Sequence, residues 1–283
     1  MPLTPLPNLL VEPIVRQALV EDLGRAGDIT TDAIAPADRN AAAVMASRQE
    51  GVVAGLDLAA LAFRLMDPAI RFTAVLPDGA RVSPGAAVAA IEGPARGMLS
   101  AERVALNFVS RLSGVASATA ALVASVAHTR ARIVCTRKTT PLMRSLEKYA
   151  VRAGGGANHR FGLDDAALIK DNHVAIAGGV AEAIRRVRGH VGHLVKIEVE
   201  VDTLAQLEEA LGAGVDAVLL DNMSLDDLRR AVAMIGGRAI SEASGRVTLE
   251  TAPAIAATGV NLISVGWLTH SAPILDIGLD AKV

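Results

Sequence analysis

Residues 194–201 read LVKIEVEV and residues 217–221 read AVLLD, and these two runs set the terms for the fold. Both carry aliphatic residues, β-branched at four positions of the first, and each is followed by a polar break and then a helical pattern. The same unit recurs, with strands expected at about 133–136, 167–170, 194–201, 217–221, 238–243 and 262–265. Two of the intervening helices have chemically sensible ends. Thr140 stands before Pro141 at an expected start and Gly154 at the close; Ser224 precedes LDDLRRAVAMIGG, with Asp226 and Asp227 in the first turn and Gly236-Gly237 at the stop. Six strand–helix units predict an α/β fold with a parallel barrel, and an open one, since the common closed form needs eight.

Working outward from LVKIEVEV, Lys196, Glu198 and Glu200 share one face of the strand and the aliphatic residues the other. The aliphatic face must meet the helices, so the charged face is expected to point into the barrel. Unpaired buried ions cost several kcal/mol each, which leaves two readings: an internal salt-bridge layer with Lys170 or Lys196, or a functional site. Glu200, nearest the mouth, favours the second more than Glu198 does. Arg137-Lys138, Lys170, Glu200, Asp221, Ser244-Gly245 and Gly266 all fall at or just beyond the carboxyl ends of expected strands. Ligands bind on that face in parallel α/β architectures. Between Cys135 and His173 the cationic or potentially cationic Arg137, Lys138, His159, Arg160 and Lys170 are not spaced along one solvated helix face. Their natural counterpart is a compact, highly charged anion.

The first part of the chain reads differently. A helix is expected from about residue 14 to Gly24 and Gly27, with Asp28 to Asp32 as a polar turn, followed by short strands between 42 and 96 punctuated by Pro77-Asp78-Gly79 and Ser83-Pro84-Gly85. A long helix follows, with Ser100 as its expected N-cap. Arg103 then falls in the first turn, where a cation opposes the helix dipole; it is either a solvated arginine or one that serves an external anion.

A net charge of −2 and 2% aromatic residues exclude a general nucleic-acid-binding surface, so any anion site must be local. Hydrophobic residues reach 51%, largely alanine, without an uncharged apolar run long enough to span a bilayer. The opening MPLTPLPNLLVEP lacks the pattern of a secretory signal, which predicts a cytoplasmic protein without membrane association. The single cysteine, Cys135, reads as a small core residue. His190 and His193 lack further ligands at zinc-site spacing, and Gly154-Gly155-Gly156 lacks the Lys-Ser/Thr of a P-loop.

The strings TRKTTP, LEKYAV, AGGGANHRFGL and LIKDNH, followed by EVEV, LLDN, EASG and SVG with LTHS, closely resemble the quinolinate phosphoribosyltransferase family, as do EDLGRAGDITTDAI and AERVALNFVSRLSG nearer the start. The resemblance covers nearly the whole chain. It implies an N-terminal α/β sandwich domain over 1–112, an open α/β barrel over 113–267, and a C-terminal tail over 268–283 packing back on the first domain. It further implies a homodimer with shared active sites and leaves higher assembly open.

The implied reaction converts quinolinate and phosphoribosyl pyrophosphate, with Mg²⁺ and no organic cofactor, to nicotinate mononucleotide, pyrophosphate and CO2. Arg137, Lys138, His159 and Arg160 are then expected to bind the dicarboxylate, joined by Arg103 from the partner subunit, and Thr136 is expected among the substrate-binding residues. Lys170 meets the pyrophosphate, Glu200 and Asp221 the ribose and the metal, and Ser244, Gly245 and Gly266 the 5′-phosphate. Lys138, Lys170, Glu200 and Asp221 are the expected catalytic set. Three positions depart from the family's commonest pattern: Leu142 and Arg246 where glycine is usual, and Trp267 where alanine is usual. The rival readings are a related phosphoribosyltransferase of molybdenum-uptake operons, a Schiff-base aldolase using Lys170 or Lys138, and a non-catalytic sugar-phosphate-binding barrel.

Overall fold

A computed structural model of the protein describes residues 3–282, which divide into two compact units. The first comprises the chain up to Ala120 together with Ser145–Gly155 and the end from Ser271; the second comprises Ala121–Arg144 and Gly156–His270.

The first unit opens with helices α1 (Asn8–Leu23) and α2 (Ile29–Ile34). The stretch expected as a polar turn is α2, because the Asp28 carboxylate accepts the Thr31 backbone N–H at 2.9 Å and caps it. Strands β1 (Asn40–Ser47) and β2 (Gly51–Val52), helix α3 (Leu56–Met66), and strands β3 (Arg71–Ala74), β4 (Arg81–Val82) and β5 (Ala87–Pro94) follow. Helix α4 (Ala95–Ser125) leaves β5 without a loop. Ser100 is therefore not its N-cap; its hydroxyl donates to Asp28 at 2.9 Å. Arg103 consequently sits in the third turn of α4, exposed, where the helix dipole no longer penalises it. By length and composition α4 could cross a bilayer, but 61% of its most apolar stretch is buried inside the protein, which marks it as a core helix.

The second unit opens with the end of α4 and continues into β6 (Arg132–Val134), after which α5 (Arg144–Ala153) follows. The helix expected to start at Thr140 starts at Arg144, because Leu142 adopts a left-handed φ of 67° that a helix cannot include. Most of α5 belongs to the first unit: its buried Glu147 accepts from Arg111 at 2.9 Å, and the Tyr149 hydroxyl donates to Asp78 at 2.8 Å. The first unit thus takes in residues on both sides of the expected bounds 1–112, 113–267 and 268–283, with α4 running on to Ser125 and Ser145–Gly155 included.

Strand β7 (Ala167–Ile169) leads to α6 (Asp171–Ala177), α7 (Val180–His190), β8 (Ile197–Val201), α8 (Leu204–Gly212), β9 (Ala217–Asp221), α9 (Leu225–Ile235), β10 (Ile240–Ser244), α10 (Ala252–Ala256), β11 (Leu262–Ser264) and α11 (Trp267–His270). Ser224 caps α9 as expected, accepting the Asp227 N–H at 3.1 Å. The parallel sheet runs β6-β11-β10-β9-β8-β7, so the first strand pairs with the last and the barrel stays open between β6 and β7. The final strand, β12 (Ile277–Lys282), returns to the first unit and pairs antiparallel with β1 in a sheet ordered β12-β1-β5-β3.

Candidate active site

In the second unit the carboxyl ends of the parallel strands enclose a cavity of about 700 Å³. Its wall contains Thr136, Arg137 and Lys138 after β6, His159 and Arg160 before β7, and Lys170 after it. Glu200 comes from β8, Asp221 from the end of β9, Ser244 and Gly245 from β10 and its loop, and Gly266 follows β11. Eleven of the twelve candidate residues are thereby brought together. The twelfth, Arg103, lies on the exposed side of α4 in the first unit and does not line the cavity.

The cationic wall is fixed from beneath. Cys135 is buried and its thiol donates to Asn158 at 3.4 Å, so it anchors the strand end and the following loop to each other. Thr136 Oγ1 accepts the Lys138 backbone N–H at 3.0 Å, while the Thr269 hydroxyl donates to the Lys138 carbonyl at 2.8 Å. Lys138 passes close to Gly266: a Cβ there would lie 2.9 Å from Lys138 Cδ, so a side chain at 266 would displace the lysine. Arg160 donates through Nη1 to the Ala166 carbonyl at 3.0 Å. The Nε atoms of Arg137 and Arg160 are nevertheless buried without a hydrogen-bond partner. Burial, and after it the Arg137 charge, lower the Arg160 pKa. Two mutually repelling guanidinium groups with orphaned donors make a site that an anion would complete.

Across the cavity the charges are already matched. Lys170 Nζ donates to Glu200 at 2.7 Å, and the Lys170 backbone N–H to His173 Nδ1 at 2.9 Å, which secures the start of α6. Lys196 is not part of this layer: it is exposed at the opposite end of β8, where it donates to Asp216 at 2.7 Å. Asn222 takes a left-handed φ of 51° and donates to Asp221 at 2.6 Å. Gly245, at φ 101°, packs so tightly against Asn222 that a Cβ would lie 2.2 Å from its amide oxygen. Next to it Arg246 is held at φ 49°, a conformation unfavourable for a residue with a side chain. The Trp267 indole N–H donates to the Val247 carbonyl at 2.9 Å and ties the loop after β10 to that after β11.

The floor holds a third group. Arg160 N–H donates to His159 Nδ1 at 2.8 Å, and His159 Nε2 lies 2.9 Å from Glu198 Oε2 and 3.6 Å from Glu242 Oε1. Glu198 and Glu242 are both buried, and Glu242 Oε1 has no hydrogen-bond partner. Burial, then the neighbouring Glu198 charge, push the Glu242 carboxyl up to about 7. Sequence reasoning did not single out Glu242. Its signal was available in the alternation of ISEAS, where Glu242 shares a face with Ser244. Asn222 and His270 also line the cavity and were not anticipated.

Residues 28–113 match the family described as quinolinate phosphoribosyl transferase, N-terminal domain, and residues 115–280 the C-terminal domain of the same family. A nicotinate-nucleotide pyrophosphorylase [carboxylating] of Mycobacterium leprae is 46% identical over 274 residues, covering 94% of this chain and 95% of that protein. A probable nicotinate-nucleotide pyrophosphorylase [carboxylating] of Bacillus subtilis is 42% identical over 276 residues, covering 98% and 95%. The crystal structure of NadC from Streptococcus pyogenes superimposes with a TM-score of 0.95 at 41% identity, covering 99% of this chain and all of that one.

Proposed function

Because the chain belongs to the quinolinate phosphoribosyltransferase family, we propose that it transfers the phosphoribosyl group of phosphoribosyl pyrophosphate to quinolinate with decarboxylation. The products are nicotinate mononucleotide, pyrophosphate and CO2, a step of de novo NAD biosynthesis. The observation that carries this reading is the convergence of Arg137, Lys138 and Arg160 on one wall of the cavity. A planar carboxylate satisfies a guanidinium fork in two parallel bonds. Quinolinate carries two carboxylates and so matches the two arginines.

The division of labour follows from the two walls. Arg137, Arg160, Lys138 and Thr136 hold the dicarboxylate so that its ring nitrogen faces the ribosyl carbon, and His159, bonded to the Arg160 N–H and to Glu198, braces that wall from beneath. Ser244, Gly245 and Gly266 receive the 5′-phosphate, with glycine allowing close backbone approach. The pyridine nitrogen attacks with its own lone pair, and the anomeric C–O bond breaks with its electrons leaving on pyrophosphate. No general base is needed for that step. Glu200 and Asp221 stabilise the positive charge that develops at the anomeric carbon, and Lys170 the negative charge on the departing pyrophosphate. The quaternised ring then accepts the electrons of the breaking carbon–carboxylate bond, CO2 leaves, and the ring carbon takes up a proton. Positioning and preorganised charge supply the catalysis.

Glu200 and Asp221 also fit Mg²⁺, a hard ion that takes one or two carboxylates and completes its shell with water and substrate phosphate. Bound there it would neutralise the pyrophosphate charge. A Schiff-base mechanism fits poorly, because its lysine must be an unprotonated amine and Lys170 is paired with Glu200 at 2.7 Å. The functional particle in this reading is a cytoplasmic homodimer in which Arg103 reaches the partner subunit's cavity. The test is incubation with quinolinate, phosphoribosyl pyrophosphate and Mg²⁺. Nicotinate mononucleotide and CO2 are expected in equal amounts; no product, or equal activity with nicotinate, would refute the proposal.

A further inference from the structure

The buried floor of the cavity sets two carboxylates against one imidazole proton and the Ser264 hydroxyl, which bonds Glu242. Glu198 and Glu242 both approach a single nitrogen, His159 Nε2, at 2.9 and 3.6 Å. That ring carries one proton only. Its Nδ1 accepts the Arg160 backbone N–H at 2.8 Å, so it holds a lone pair, and the proton belongs to Nε2. At 2.9 Å that proton serves Glu198, which leaves Glu242 Oε1 buried and unpartnered beside a second carboxylate. Ligand oxygens of the two lie within 4.8 Å of each other, and Glu242 is 1% exposed. Two ionised carboxylates at that separation, without solvent, repel by more than one N–H···O bond offsets.

A metal ion would relieve the repulsion, and His159, Glu198 and Glu242 are the one such three-ligand cluster among the described residues. The tautomer argues against it. To ligate through Nε2 the ring would need its proton on Nδ1, pointing at the Arg160 N–H. A second proton is the simpler solution.

We propose that Glu242 is a neutral carboxylic acid beside the Glu198 carboxylate, and that as a positioning residue it keeps the charge beneath the dicarboxylate pocket low enough for a dianion to bind. This rests on the function proposed above. The direction in which burial and Glu198 push the Glu242 carboxyl agrees with it. Facing Glu242 are Glu198 from β8, His159 from the loop before β7, and Ser264 from β11. The other ionisable groups on the cavity wall are Arg137, Lys138, Arg160, Lys170, Glu200, Asp221, Arg246 and His270.

When Glu242 ionises, a negative charge appears under the bound dianion. Coulomb's law at an effective dielectric constant of about 20 then weakens quinolinate binding by roughly tenfold or more. The ligand's own carboxylates, titrating near pH 4, do not change over that range.

Two measurements on the full-length protein test the idea. In the substrate-free state, carboxyl-¹³C-glutamate NMR should show one glutamate titrating near neutrality that is missing from Glu242→Gln. If every glutamate titrates in the ordinary acidic range, or if the protein holds a stoichiometric transition-metal ion, the neutral Glu242 is refuted. Calorimetric quinolinate binding should weaken about tenfold from pH 6 to pH 9 in the wild type, and the ratio should collapse towards one in Glu242→Gln. A pH ratio unchanged by the substitution assigns the effect to another group, such as His270, and overturns the positioning role. If neither protein binds quinolinate at any pH, the functional reading fails and takes that role with it, while the NMR titration still decides the proton. Should Glu242→Gln not fold, the wild-type titration, with Glu198→Gln for assignment, judges the same claim.

Discussion

Arg160 shows how much the cavity depends on single atoms. Its backbone N–H sets the His159 tautomer, one terminal nitrogen is spent on Ala166, and its Nε is left buried and unpartnered. Recognition, loop geometry and the protonation of the floor thus converge on one residue. Glu242 has a matching consequence for stability. Burial and Glu198 raise its pKa from 4.5 to about 7, so between those values the folded protein binds more protons than the unfolded chain. Unfolding free energy must then fall as pH rises through that window and level off above it. Replacing the group by an amide removes the decline. Denaturant titrations should therefore find Glu242→Gln gaining on the wild type from pH 5 to pH 8, by up to about 3 kcal/mol. An equal difference at both pH values would contradict the raised pKa. Arg137, Lys138 and Lys170 were readable because they follow apolar strands directly, whereas His159 and Arg160 precede β7. The floor was not, because His159 and Glu198 meet across 39 residues and nothing local encodes the contact.

Among the elements, those with strong local chemistry could be read directly. Ser224 before two aspartates gave α9 its start, and Ala217–Asp221 was readable to the residue. The errors have local causes too. The Asp28 cap turns an apparent polar turn into α2, the absence of a loop after β5 moves the start of α4 to Ala95, and the left-handed Leu142 delays α5. The loop after β10 stores a comparable strain. Arg246 at φ 49° costs about 1 kcal/mol relative to glycine, while Trp267 bonds the neighbouring Val247 carbonyl and holds the loop in place. Arg246→Gly should therefore raise unfolding free energy by up to about 1 kcal/mol, less the greater freedom glycine gives the unfolded chain. If the variant loses more than about 1 kcal/mol in a denaturant titration, the arginine side chain stabilises the loop by contacts that outweigh its strain.

For the whole molecule, six recurring strand–helix units were enough to predict an open parallel barrel, since the count falls short of closure. What periodicity does not encode is which stretches cross between units, and Ser145–Gly155 does so through the buried pairs of Glu147 and Tyr149. Arg103 poses the remaining question at this scale. With α4 beginning at Ala95, helix strain no longer explains the arginine, and it stands exposed outside the set of residues lining the cavity. If it completes a site in a second subunit, Arg103→Ala and Lys138→Ala each inactivate every site of their own homodimer. A mixed dimer behaves differently: one site receives both defects and the other receives both native residues. Random mixing puts half of all dimers in the mixed form with one good site each, so activity should return to about one quarter of wild type, with a native KM for quinolinate. Mass spectrometry would establish that mixed dimers form. Mixed dimers without activity would exclude a shared site, and an Arg103→Ala homodimer of undiminished activity would leave Arg103 as a solvated surface residue.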